Sequence, residues 1–200
     1  MALQYSVAVR NGQGNAIETA VGVSAIMKIR TGSPPATCAT ADSGTVLATL
    51  NLPSDWYGAF ASGVGAKAGT WEDLSADASG TAGHFRLYAT DGTTCHEQGT
   101  AGANVVIATN ALTAANGNVL NFAATTGVVV GMNIAGTGVV AGATVVAVSG
   151  TTVTMSHTST AGVASAASIT FSYDIVLDNA VFAAAQAFTV TAYGITVGNA

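Results

Sequence analysis

Apolar residues recur at every second position through most of this chain, and at every third or fourth position in one place only. Across residues 45–52, Val46, Ala48, Leu50 and Leu52 point one way and Thr45, Thr49 and Asn51 the other, the two-residue period of a strand with one buried face. Pro53 ends it, having no amide hydrogen to give to a ladder. Residues 25–30 repeat the form, Met27 and Ile29 opposing Ile26, Lys28 and Arg30. Short strands are expected over residues 70–74 and 84–90. Asp91-Gly92 then predicts a type I′ hairpin into residues 93–97, because both central residues of that turn take positive φ. A final alternating strand runs over residues 187–197, with Phe188 and Val190 set against Thr189 and Thr191.

The helical period lies near the N-terminus. Ile17, Ala20, Val21 and Ser24 are spaced i, i+3, i+4 and i+7, with Leu3, Tyr5, Val7 and Val9 upstream. Gly12 and Gly14 each cost on the order of 1 kcal/mol inside a helix. The pattern therefore predicts either a helix broken near Gly12 or an extended N-terminal arm followed by a short helix. An arm of this kind can reach a neighbouring subunit, which makes Tyr5 and Val9 candidate interface residues.

Between these outer parts, residues 126–156 form the most regular stretch. Val128 to Val130 lead into Gly131-Met132 and Ile134, glycine corners follow at Gly136 and Gly138, and two β-branched runs flank Ser149-Gly150 as a tight turn. From Gln98 to Tyr173 no Asp, Glu, Lys or Arg occurs. The composition shift on both sides predicts a small β module, residues 103–172, inserted into a body formed by residues 1–102 plus 173–200. With the module removed, residues 93–98 would turn directly into residues 174–178 and make another hairpin.

Charge sharpens this picture. Charged residues are 8% of the 200, against roughly 25% in soluble domains, so much of the surface is expected to be covered in an assembly. A net charge of −5 with only five Lys and Arg argues against nucleic acid, whose phosphates need clustered cations. No uninterrupted apolar run of about 18 residues predicts a membrane span. The beginning has no basic n-region or apolar h-region, so synthesis in a cytoplasm is expected. There Cys38 and Cys95 are expected as reduced structural thiols, with a single disulfide as the other possibility.

Candidate chemistry is sparse. His84, His96 and His157 have no partner at zinc-site spacing. In Cys95-His96-Glu97, strand geometry lets only Cys95 and Glu97 share a face. Glu72, Asp73 and Asp77 form the densest carboxylate group, which reads as a solvated face rather than a glycosidase pair, and no calcium loop, nucleophile elbow or phosphate loop accompanies it. No catalytic residue, metal or cofactor is expected. Trp56, Tyr57 and Phe60 have two readings, a lid on the core or a contact with a partner, and with Tyr5 and Val9 they complete the candidate interface.

Four parts of the chain carry a resemblance: the N-terminal stretch through ETAVG, the segment MKIRTGSPPATCATADSGTVLATLNLPSDW, the AGHFR and DGTTC pieces of the expected hairpin, and the ending DNAVFAAAQAFTVTAYGITVGNA. Together and in this order they resemble a group of small virion proteins of tailed bacteriophages and prophages, over about two thirds of the chain. The inserted GMNIAGTG and VSGTTVTMS resemble a repeat widespread in phage surface proteins. The resemblance implies a virion structural protein: an all-β, sandwich or jelly-roll-like body with a short N-terminal helix or arm and an outward-facing module. As a capsid decoration or cement protein it would bind the major capsid protein or another virion protein, and itself as a trimer. As a tail or fibre component its module would contact the host surface.

Overall fold

The structure is a computed structural model and describes residues 4–198; Leu3 of the helical pattern lies outside them. In chain order the elements are α1 Val7–Val21, β1 Ile26–Arg30, β2 Val46–Asn51, β3 Val64–Ala66, β4 Glu72–Asp73, β5 Gly80–Thr81, β6 His84–Tyr88 and β7 Cys95–Gly102. They continue as β8 Val105–Ala108, β9 Val119–Asn121, β10 Asn133–Ala135, β11 Val145–Ser149, β12 Thr152–Met155, β13 Ser168–Ser172, β14 Ile175–Leu177, β15 Val181–Phe182 and β16 Phe188–Thr196. The fold is thus predominantly β. Two compact units form, Met1–Gly102 with Ile175–Ala200, and Ala103–Asp174.

In the first unit one sheet runs β2-β1-β6-β7-β14-β16-β3, with β4 also on β16. Edge strand β2 is met by the segment after β4, where the amides of Asp77 and Ala78 donate to the Leu47 carbonyl. Met27, Ile29, Leu50, Phe85, Leu87, Ile175 and Val190 fill the interior. The alternation expected for β2 breaks at Leu47, which is fully buried, because a bulge opposite Ile29 and Arg30 lets β2 carry one extra residue there.

The helix is continuous through Gly12 and Gly14, where a break or an arm was expected. Ser6 caps it by accepting from the Val9 amide at 3.3 Å, and Gly22, at φ 86, ends it with its amide on the Glu18 carbonyl. Gly14 is kept because the helix presses on Phe60: a Cβ there would lie 2.2 Å from the ring. Close packing outweighs the propensity cost.

The 88–95 connection is the expected hairpin with a different turn. Among the described residues Gly92 takes positive φ and Asp91 does not; the Asp91 carboxylate instead accepts from the amides of Thr93 and Thr94, both at 2.8 Å. The two-residue turn with both φ positive is Ser62-Gly63, closed by reciprocal bonds between Ala61 and Val64. A second correction concerns β7 and β14. They pair in parallel, Ala101 with Ile175 and Val176 with Gly102, so no direct hairpin can join them.

The second unit holds two three-stranded antiparallel sheets, β10-β13-β8 and β11-β12-β9. Leu120, Phe122, Met132, Ile134, Val153, Ile169 and Phe171 are buried between its strands, and Phe122 meets Phe171 edge-on at 5.6 Å. Hydroxyls replace charge as internal ties: Thr109 donates to the Ala164 carbonyl at 2.7 Å, Thr113 to that of Val119 at 2.7 Å, and the fully buried Ser159 to that of Ala114 at 3.0 Å.

Candidate functional site

The outward face of β1, β6 and β7 carries a polar layer under a loop, residues 31–44. Register sets Lys28 opposite Arg86 and Arg30 opposite His84, and Arg86 opposite Gln98 on the other side. Three of the chain's five Lys and Arg therefore share one sheet face. Arg86 is 1% exposed, and a guanidinium so placed needs every donor matched.

The loop supplies the acceptors. Arg86 donates through Nη1 to the Thr40 carbonyl at 2.9 Å and to Asp42 Oδ1 at 2.7 Å, and through Nη2 to the Cys38 carbonyl at 2.6 Å. Its Nε donates to Cys95 Sγ at 3.2 Å. Arg30 reaches the second oxygen of the same Asp42 carboxylate and the carbonyls of Ser43 and Gly44. Tyr88 adds its hydroxyl to Asp42 Oδ1 at 2.8 Å, and burial, followed by that bond, pushes its pKa up to about 12. One carboxylate thus holds two arginines and a phenol, while Gln98 ties the loop again at the Pro35 carbonyl, 2.5 Å away.

His84 is fully buried beside them, its Nδ1 2.9 Å from the Gly32 carbonyl. That distance assigns the ring proton to Nδ1. Burial lowers the imidazole pKa, and the nearby cations Arg30 and Arg86 lower it further against the opposing pull of Gly32 and Asp42. The ring is neutral, and Nε2 is buried without a protein partner.

The Cys-His-Glu run is split by a bulge. Leu87 pairs with Glu97 and Tyr88 with Cys95, so His96 is the extra residue. Cys95 turns outward to Arg86, whereas Glu97 turns inward and accepts from the Tyr193 hydroxyl at 2.6 Å. The expectation that Cys95 and Glu97 share a face is overturned. Among the described residues no group of three His, Cys, Asp or Glu could hold a metal. Asp73 and Asp77 of the carboxylate group are engaged with β2: Asp73 accepts from the Thr49 amide at 3.1 Å, Asp77 from the Thr49 hydroxyl at 2.8 Å.

The candidate interface residues part company. Tyr5 and Val9 are 36% and 45% exposed at the start of the chain and on α1. Trp56, Tyr57 and Phe60 are 0%, 3% and 6% exposed. Trp56 donates Nε1–H to the Gly22 carbonyl at 2.9 Å, Tyr57 donates its hydroxyl to that of Gly65 at 3.0 Å, and the Tyr57 and Phe60 rings stack at 5.2 Å. Their surface is spent inside the chain, so the core lid replaces the partner contact as their role. The arginine cluster, by contrast, was missed. Its signal was the placing of Arg30 and Arg86 on expected strands in a chain with few cations, but nothing in the spacing linked either to Asp42. Chemically the cluster fastens a loop: it offers cations, a neutral imidazole and two thiols.

Compared with models of known families, with curated proteins and with solved structures, the chain matches none of them.

Proposed function

We propose that the chain is a structural protein of a tailed-bacteriophage particle, most simply a capsid decoration or cement protein without enzymatic activity. The observation that carries this reading is a charge-poor surface with exposed aliphatic side chains. Val7, Val9 and Val23 are 48%, 45% and 66% exposed around α1, and Val106, Val130 and Val146 are 60%, 59% and 52% exposed in the second unit. Such surface suits protein contact. The resemblance of the outer segments to virion proteins supports the same role. On this reading the body is a sandwich or jelly-roll type fold that associates as a trimer, and Tyr5, Val7 and Val9 grip the major capsid protein or another virion protein. The Trp56 loop takes no part, being core.

A tail or fibre component is the second reading, favoured by the exposed Val129, Val130 and Leu112 of the uncharged module. Its aromatics speak against saccharide stacking, since Phe122 and Phe171 are buried. The copy number relative to the major capsid protein in purified particles tests both. A ratio near one, or one per three, is expected for cement; a few copies per particle would overturn that reading in favour of the tail.

A further inference from the structure

We propose that Cys38 and Cys95 form a reversible disulfide that latches the 31–44 loop onto β7. The case begins with one guanidinium. Arg86 Nε–H donates to Cys95 Sγ at 3.2 Å while Nη2, on the same edge of the planar group, donates to the Cys38 carbonyl at 2.6 Å. Donors on one edge of a guanidinium point the same way, so the Cys38 backbone and the Cys95 sulfur lie side by side. Both thiols are free and partly exposed, and Cys95 lies near enough to raise the Cys38 pKa. Arg86, held from the other side by Asp42 and the Thr40 carbonyl, fixes this approach.

The oxidant is a low-molecular-weight disulfide. Cys95 attacks first, because negative charge developing on its sulfur meets the Arg86 cation. Its sulfur bonds to one sulfur of the oxidant, whose S–S bond breaks, and the other sulfur leaves as a thiolate. Cys38 then gives its proton to solvent or the released thiolate, bonds to Cys95 Sγ and expels the second thiolate. Two protein thiols are oxidised to one disulfide, and one small disulfide is reduced to two thiols. Burial and the neighbouring Cys95 push the Cys38 thiol up to about 11, which makes it the poorer first nucleophile. The part due to Cys95 disappears once that sulfur is capped.

The reduced full-length protein, equilibrated in oxidised and reduced glutathione under native conditions, tests this by alkylation and peptide mass spectrometry. An intramolecular Cys38–Cys95 peptide is expected, formed at a glutathione ratio at least tenfold more reducing than in denaturant. The melting temperature of the oxidised form should rise by about 5 °C or more. Among single-thiol variants, Cys38→Ser should take up glutathione faster than Cys95→Ser. Stable glutathione adducts on both cysteines of the native protein, crosslinked dimers alone, thiols that stay reduced, or a disulfide that leaves the melting temperature unchanged would each overturn the latch.

Discussion

Ala101 and Ile175 stand opposite each other in a parallel ladder, where the chain leaves one unit and later re-enters it. Parallel neighbours need a crossover of a dozen or more residues, and residues 103–174 are that crossover, built as a unit with its own core. The exit and return points are one strand spacing apart, about 4.8 Å. Replacing residues 103–174 by a Gly/Ser linker of about twelve residues, whose span is roughly 19 Å, should leave a body with its own cooperative thermal transition. Aggregation, or loss of the transition in calorimetry, would show that the two units depend on each other for folding.

Asp42 is the point at which the polar face is most vulnerable. Removing it leaves the guanidinium groups of Arg30 and Arg86, 8% and 1% exposed at the side chain, without their shared carboxylate. Breaking one partner of a fully buried ion pair costs about 3 to 5 kcal/mol, and the 38% exposure of the Asp42 side chain lets water offset part of that, leaving about 2 kcal/mol. Asp42→Ala should lower stability in urea unfolding by about that much, and Asp42→Asn by less, since the amide oxygen still accepts. A loss under 1 kcal/mol for Asp42→Ala would mean that the loop carbonyls alone hold the arginines.

How much of this could be read in advance follows from the range of each interaction. Alternation gave β1 its faces, with Met27 and Ile29 inside, because a strand's side-chain direction is set by nearest neighbours. Ser62-Gly63 escaped notice because Ala61, Gly65 and Ala66 around it show no alternation, while Asp91-Gly92 had the flanks without the turn geometry. The bulges at Leu47 and His96 each shift one residue, and one residue is enough to reverse a face. Arg30, Asp42 and Arg86 meet only through the pairing of β1 with β6 and the return of the loop. No local pattern encodes that meeting.

His84 gives the body a pH dependence. Its pKa is lowered in the folded chain from an ordinary value of about 6.5, so as pH falls through that value the unfolded chain takes up a proton and the folded chain resists it. The contribution to stability is complete above about pH 6.5 and is lost below it, with a limiting slope of about 1.4 kcal/mol per pH unit. Denaturant unfolding between pH 7.5 and 5 should show this fall, and His84→Gln should flatten it. Equal slopes in the two proteins would assign the acid sensitivity to other groups.

Two glycines of α1 should respond to the same substitution with opposite signs. In a helix interior Ala is favoured over Gly by about 1 kcal/mol, and at Gly12 nothing lies within 4 Å of the added Cβ. Gly12→Ala should therefore stabilise the chain by up to about that amount. At Gly14 the same methyl would sit 2.2 to 2.4 Å from three carbons of the Phe60 ring, and that ring stacks on Tyr57, which meets Trp56 and Tyr193 edge-on at 5.3 and 5.6 Å. A ring so enclosed cannot yield without moving its neighbours, and overpacking of this kind costs about 1 to 3 kcal/mol, more than the propensity gain. Gly14→Ala should lower the midpoint of thermal unfolding while Gly12→Ala raises it. If both raise it, α1 does not rest on Phe60 in the folded protein, and the cap on the core is looser than the aromatic contacts require.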